Sequence, residues 1–105
     1  MKPFKSPLAD YLEQYIAYRR CLGYGEKKLR SDLGQFDRYV GSKNARMTDL
    51  TAGFFLELKK DLREKQHRFN QLLLAARGFF AFLVRNQILA VNPLRDIAAY
   101  RQKAY

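Results

Sequence analysis

Apolar residues recur every three or four places through four separate stretches of this chain, the spacing that puts them on one buried face of an α-helix. In "SPLADYLEQYIAYRRCLG" the stripe is Leu8, Tyr11, Leu12, Tyr15, Ile16, Arg19 and Leu22. Ser6 can cap this helix, Pro7 suits its first position, and Gly23 can end it in a left-handed turn. In "YGEKKLRSDLGQFDRYVG" the buried face is Leu29, Leu33, Phe36 and Val40, with Gly41 as the expected stop. Its opposite face carries Lys27, Lys28, Arg30, Ser31 and Arg38, and Glu26 in the first turn complements the helix dipole. The third stretch, "TAGFFLELKKDLREK", has Thr51 as its expected cap and Phe54, Phe55, Leu58 and Leu62 as its stripe. Its charges nearly cancel, which reads as an ordinary solvated face.

The fourth stretch, from about Gln66 to about Gln87, is the most apolar. Phe69, Leu72, Leu73, Ala76, Phe79, Phe80 and Leu83 form its stripe, and arginines are its only charges. The Asn-Pro at 92–93 is the expected stop, because a residue before proline avoids the helical region. Gly78 lies inside this helix, where it costs about 1 kcal/mol relative to Ala. Its presence implies that either another helix or a DNA backbone passes close by. The aromatic residues Tyr11, Tyr15, Tyr18, Phe54, Phe55, Phe79, Phe80 and Phe82 fall mostly on buried faces, as core rather than as base-stacking platforms.

No stretch alternates as a strand would, and the connections "GYGE" and "GSKNARMTDL" are short, so neighbouring helices pair as hairpins. The expected class is all-α, a bundle of four helices. The chain's 105 residues make one domain. With 48% hydrophobic residues it can bury a core without disulfides or metals.

Charge narrows the function. The net charge is +10, from 20 Lys+Arg against 10 Asp+Glu, and such a surplus points to a polyanionic partner, most often DNA or RNA. From Lys65 onward there are seven basic residues and one acidic, so the fourth helix and its tail dominate the positive field. One cysteine, Cys21, excludes an internal disulfide. The N-terminus lacks the apolar core of a signal peptide, and no run approaches the roughly 18 apolar residues of a membrane span. Cytoplasm or nucleoid is the expected compartment.

Catalytic chemistry finds little support. A single histidine, His67, and a single cysteine cannot build a Cys/His metal cluster. No glycine-rich phosphate loop and no nucleophile elbow is present. No cofactor, metal, small-molecule substrate or membrane partner is expected. Binding remains. "KQHRFNQ" places His67, Asn70 and Gln71 along one edge of the fourth helix, with Arg77 below Asn70. Amides can read adenine edges, Arg can read guanine, and all can hold phosphates. The same edge also reads as a polar flank that covers the apolar spine. "EKKLR" adds Lys27, Lys28 and Arg30 at a helix N-terminus, which favours phosphate.

Four features in order resemble the N-terminal core-binding domain of tyrosine recombinases (phage integrases). They are a helix closed by a Gly-Tyr turn, the pattern Leu29-x-x-x-Leu33-x-x-Phe36, a Thr-capped third helix, and a fourth helix ending Phe79-Phe80-x-Phe82-Leu83 before Asn92-Pro93. The resemblance implies a SAM-like fold of two crossed helical hairpins that forms half of a clamp on duplex DNA. It implies a domain over residues 1–95 and, from 96 to 105, the start of a linker to a catalytic domain absent from this sequence. Other recombinase protomers would be partners on DNA. Carried over position by position, it favours Lys27, Lys28, Arg30 and Ser31 on the second helix, and His67, Arg68, Asn70, Gln71 and Arg77 on the fourth. Two other readings stand beside it: a basic helical module that docks an acidic protein without touching DNA, and a structural RNA-binding bundle.

Overall fold

The computed structural model describes residues 4–23 and 25–100. Tyr24 of the expected Gly-Tyr turn and residues 101–105 of the expected linker lie outside them. Four helices are found and, among the described residues, no strand: α1 (Ala9–Cys21), α2 (Lys27–Ser42), α3 (Ala52–Asp61) and α4 (Gln66–Arg85). A single 3-10 turn, Met47–Asp49, lies between α2 and α3. The chain is a four-helix bundle, as its periodicity implied.

Most of the apolar stripe residues become the core, but Leu22, read into the first stripe, is 55% exposed at the end of α1. All seven stripe residues of α4 are buried, and Leu8, Leu12 and Ile16 of the first stripe are fully enclosed with Leu33, Phe36 and Val40 of α2. Phe36, Phe55 and Phe80 meet ring to ring at 5.5–6.0 Å and join α2, α3 and α4. Tyr15 joins α1 to α4 by packing against Phe79 at 5.9 Å and Phe82 at 5.4 Å. Its hydroxyl occupies the space over Gly78, where a Cβ would lie 2.3 Å from Tyr15 Oη. The close approach expected at Gly78 is therefore a helix crossing. Burial raises the Tyr15 phenol above its ordinary pKa.

Helix ends differ from expectation in instructive ways. Ser6 does not cap α1: the helix begins at Ala9 with Leu8 at the cap position, and the Ser6 hydroxyl accepts the Leu8 N–H at 3.1 Å in the turn before it. Gly23 ends α1 as expected, with φ +89° and its N–H on the Arg20 carbonyl at 2.9 Å. In α2 the stop is not Gly41. Asn44 takes the left-handed position at φ 51°, and the Ala45 N–H returns to the Val40 carbonyl at 3.1 Å. Asparagine tolerates this conformation, so the helix continues through the glycine to Ser42. Thr51 sits at the start of α3, but its hydroxyl makes no capping bond.

The fourth helix ends close to the expected Gln87, but Asn92-Pro93 is not what stops it. The helix stops at Arg85, where Gln87 takes the left-handed position (φ 61°) and the Ile88 N–H bonds the Leu83 carbonyl at 2.9 Å. Asn92-Pro93 comes later and turns the chain back onto the bundle. The Asn92 carboxamide accepts the Leu94 N–H at 2.9 Å, and Leu94 and Ile97 are buried. Tyr100 is fixed at both backbone groups by the Asn70 side chain, at 2.8 and 2.9 Å. Its ring packs on Phe69 at 5.4 Å, and its hydroxyl donates to the Lys59 carbonyl at 2.5 Å. Residues 96–100, expected to begin a linker, thus lie against α3 and α4. The N-terminal segment is fixed in a comparable way: the buried Asp37 carboxylate accepts the backbone N–H groups of Lys5 and Ser6, both at 2.9 Å.

Candidate nucleic-acid interface

The nine residues singled out from sequence fall into two groups. Four make side-chain bonds across the fold. Asn70 holds Tyr100, and Arg77 donates to the Ile97 carbonyl, so both strap the tail. Arg68 donates to Gln35 Oε1, joining α4 to α2. The Arg30 guanidinium grips Glu13 of α1 with bonds of 2.7 and 3.1 Å, lies 3.5 Å from Glu26, and covers the Phe4 ring at 5.3 Å. Its hydrogen bond to Glu13 raises the Arg30 pKa and holds the Glu13 carboxyl below its ordinary value. For Asn70 and Arg77 the polar-flank reading fits these contacts. A backbone segment packed on α4 has donors and acceptors that need partners, and these two side chains supply them.

The other five face outward. Lys27, Ser31 and His67 are exposed, Gln71 is half-buried, and Lys28 is exposed with an ion pair to Asp32 one turn on, at 3.1 Å. They do not form one face. A groove of about 1130 Å³ along the outer side of α2 takes Lys27 and Ser31. A second, of about 710 Å³ between α1, α2 and α4, takes Lys28 and Gln71. His67 lines neither.

The outer groove of α2 has the clearer electrostatic character. Lys5, Lys27 and Arg38 line it and are exposed, and among the described residues none of the three has an acidic partner. The two acids beside them are engaged. Glu26 meets Arg20 at 2.7 Å and Arg30 at 3.5 Å, and Asp37 is buried under the backbone of Lys5 and Ser6. Gly34 and Gly41 lie on the same wall, and a Cβ at Gly41 would meet nothing within 4 Å. Open backbone between free cations is a surface that a phosphate chain can approach closely.

Two residues of this groove, Arg38 and Lys5, were not among the nine singled out from sequence. Arg38 was legible, since 27, 31, 34 and 38 follow one another at helical spacing on the polar face of α2. Lys5 was not. Its place beside α2 depends on the Asp37 contact, which spans 32 residues.

Lys59 also differs from its sequence reading. Rather than lying on a solvated face, its ammonium donates to the Ala98 carbonyl at 2.8 Å and sits 4.9 Å over the Tyr100 ring. Among the described residues no helix is long and apolar enough to cross a membrane.

Comparison with known proteins corrects the family expected from sequence. No protein-family model and no solved structure matches the chain. A curated relative is the regulatory protein RecX of Ectopseudomonas mendocina (strain ymp), 33% identical over 57 residues. The matched region is 54% of this chain and 38% of that protein, so the chain spans well under half the length of the relative. The resemblance to the core-binding domain of tyrosine recombinases is thereby overturned. Its adjoining catalytic domain and partner protomers lose their support. The physical reason is visible in the fold. Leu33, Phe36, Phe79, Phe80 and Leu83 are core residues that any helix bundle needs, and Asn92 closes a local turn.

Proposed function

We propose that this chain binds duplex DNA through the outer face of α2, without covalent chemistry on it, and that it acts as a regulatory component. The observation that carries this reading is the row Lys5, Lys27 and Arg38: three exposed cations without an acidic partner among the described residues, beside two acids that are engaged within the fold. Lys27 and Arg38 are eleven residues apart on one helix, roughly 16 Å at the helical rise. That matches close to five steps of a DNA strand at about 3.4 Å each. The net charge of +10 adds long-range attraction. The likeness to a protein named as regulatory supports a role in occupancy rather than in strand exchange. A cytoplasmic setting fits a DNA partner and a lone, exposed Cys21.

The salt dependence provides the test. Three phosphate contacts give a slope of about −2.7 in log K against log salt, at about 0.9 per contact, and an affinity loss of about 40-fold between 50 and 200 mM. Dissociation constants on the order of 10⁻⁴ to 10⁻⁶ M are expected, with little sequence preference. In fluorescence-anisotropy titrations of a short duplex, Lys27→Ala and Arg38→Ala should each reduce the slope by about 0.9. Lys60→Ala, exposed on α3, should leave it unchanged. Equal effects from Lys60 and Arg38, or no binding at low salt, would reject the assignment.

A further inference from the structure

The second groove has a different character. Leu74, on α4, is 74% exposed and lines it. Around it Leu29, Gly78 and Ala81 make a shallow apolar floor where α4 passes α1 and α2. On this side Leu74 and Ala81 of α4 are exposed. The rim is cationic: Lys28, Arg77 and Arg95 line it, with Asp32 as the acid among the lining residues. Lys28 and Arg95 have largely exposed side chains whose ion pairs lie at the surface, and such pairs hold their partners weakly.

We infer that this groove docks an acidic amphipathic helix of a protein partner. An apolar side chain of that helix covers Leu74, and its carboxylates meet Lys28 and Arg95 on the rim. Charge complementarity selects this occupant. A second copy of the chain would bring another +10 and a like-charged rim against the first. A nucleic-acid backbone would set phosphates over an exposed leucine and leave the apolar floor unmatched. The inference stands apart from DNA binding on α2, because Lys27, Arg38 and Lys5 line the other groove.

The probe is a fluorescein-labelled helical peptide of Leu, Ala and Glu, about 18 residues or five turns long, with leucines at helical spacing and glutamates flanking them. Anisotropy titration against the full chain should show saturable binding. Leu74→Glu should weaken it by about tenfold or more, since it removes apolar contact and adds a like charge. Lys28→Glu should weaken it and Arg38→Glu should not. Thermal melts of Leu74→Glu, a surface change, check that the fold is intact. The same composition scrambled to destroy the apolar face should not bind. Absence of binding, equal binding by the scrambled peptide, or indifference to Leu74→Glu would overturn the inference. So would concentration-dependent dimerisation lost in Leu74→Glu, or Leu74-dependent binding to anionic vesicles in preference to the peptide, by assigning the face to a second copy or to a lipid surface.

Discussion

Replacing Gly78 with alanine tests how α1 and α4 cross. Gly78 lies well inside a helix of 20 residues, where alanine is favoured over glycine by about 1 kcal/mol. On propensity alone Gly78→Ala should stabilise. The structure opposes this, because the new Cβ would sit 2.3 Å from Tyr15 Oη, well inside the 3.0 Å that Cβ contacts respect. The Tyr15 ring is 3% exposed and packed against Phe79 and Phe82, which opposes its moving aside. Overpacking of this kind costs about 1–3 kcal/mol, which cancels the propensity gain or exceeds it. Tyr15→Phe removes the offending atom, and the next nearest, Tyr15 Cζ, lies at 3.4 Å, an ordinary contact. In that background Gly78→Ala should stabilise by about 1 kcal/mol. The double-mutant cycle should therefore show a coupling of about 1–3 kcal/mol, read from urea and thermal melts of the four proteins. A change of 1 kcal/mol moves the melting temperature of a domain this size by about 4–8 °C. If Gly78→Ala has the same effect with tyrosine and with phenylalanine at 15, the hydroxyl is not what excludes a side chain there.

Three further outcomes are expected. Asp37→Ala leaves the Lys5 and Ser6 N–H groups without their acceptor and should cost about 2–4 kcal/mol in melts, with Asp37→Asn losing less; equal stability of all three proteins would disprove the clamp. Asn70→Ala should speed amide hydrogen exchange at Ile97 and Tyr100 while leaving the amides of α2 and of the body of α4 protected, and unchanged exchange at Tyr100 would count against the strap. Because Arg30 holds the folded Glu13 pKa below 4.5, the pair's stabilisation is present above that value and fades as pH falls through the lowered one. Wild type should then lose more stability than Glu13→Gln between neutral pH and pH 3, by less than about 1 kcal/mol since the carboxylate is 45% exposed; identical acid curves would contradict the pairing.

What was legible in the sequence follows from the range of the interactions. Helical periodicity is local, so the four helices and most of their core residues could be read directly, as could Gly23, whose role is set by its own backbone; Phe4, Ala45, Leu50, Leu94 and Ile97, buried from outside the four helices, could not. Helix ends were less legible, since Asn44 and Gln87 take left-handed positions that no glycine announced. Long-range polar contacts were hidden. Nothing near Asn70 or Arg77 indicates that residues 97–100 fold back to meet them, and nothing near Asp37 points to Lys5. Two of the residues that looked like base readers, Asn70 and Arg77, were therefore engaged with the tail. The family resemblance failed for a related reason: it rested on core positions, which report bundle packing and carry no information about a partner.

The central claim is that duplex DNA lies along the outer face of α2, and backbone amide shift mapping by NMR tests it most directly. Titration with a short duplex at low salt should move the amides of Ser31, Gly34, Arg38 and Gly41, on the wall of the groove that Lys27 and Arg38 line. The amides around Leu74 and Ala81 in the second groove, and those of Lys60 and Arg63 on the α3 side, should stay in place. Shifts centred on Leu74 or His67 with the α2 face silent would contradict the account.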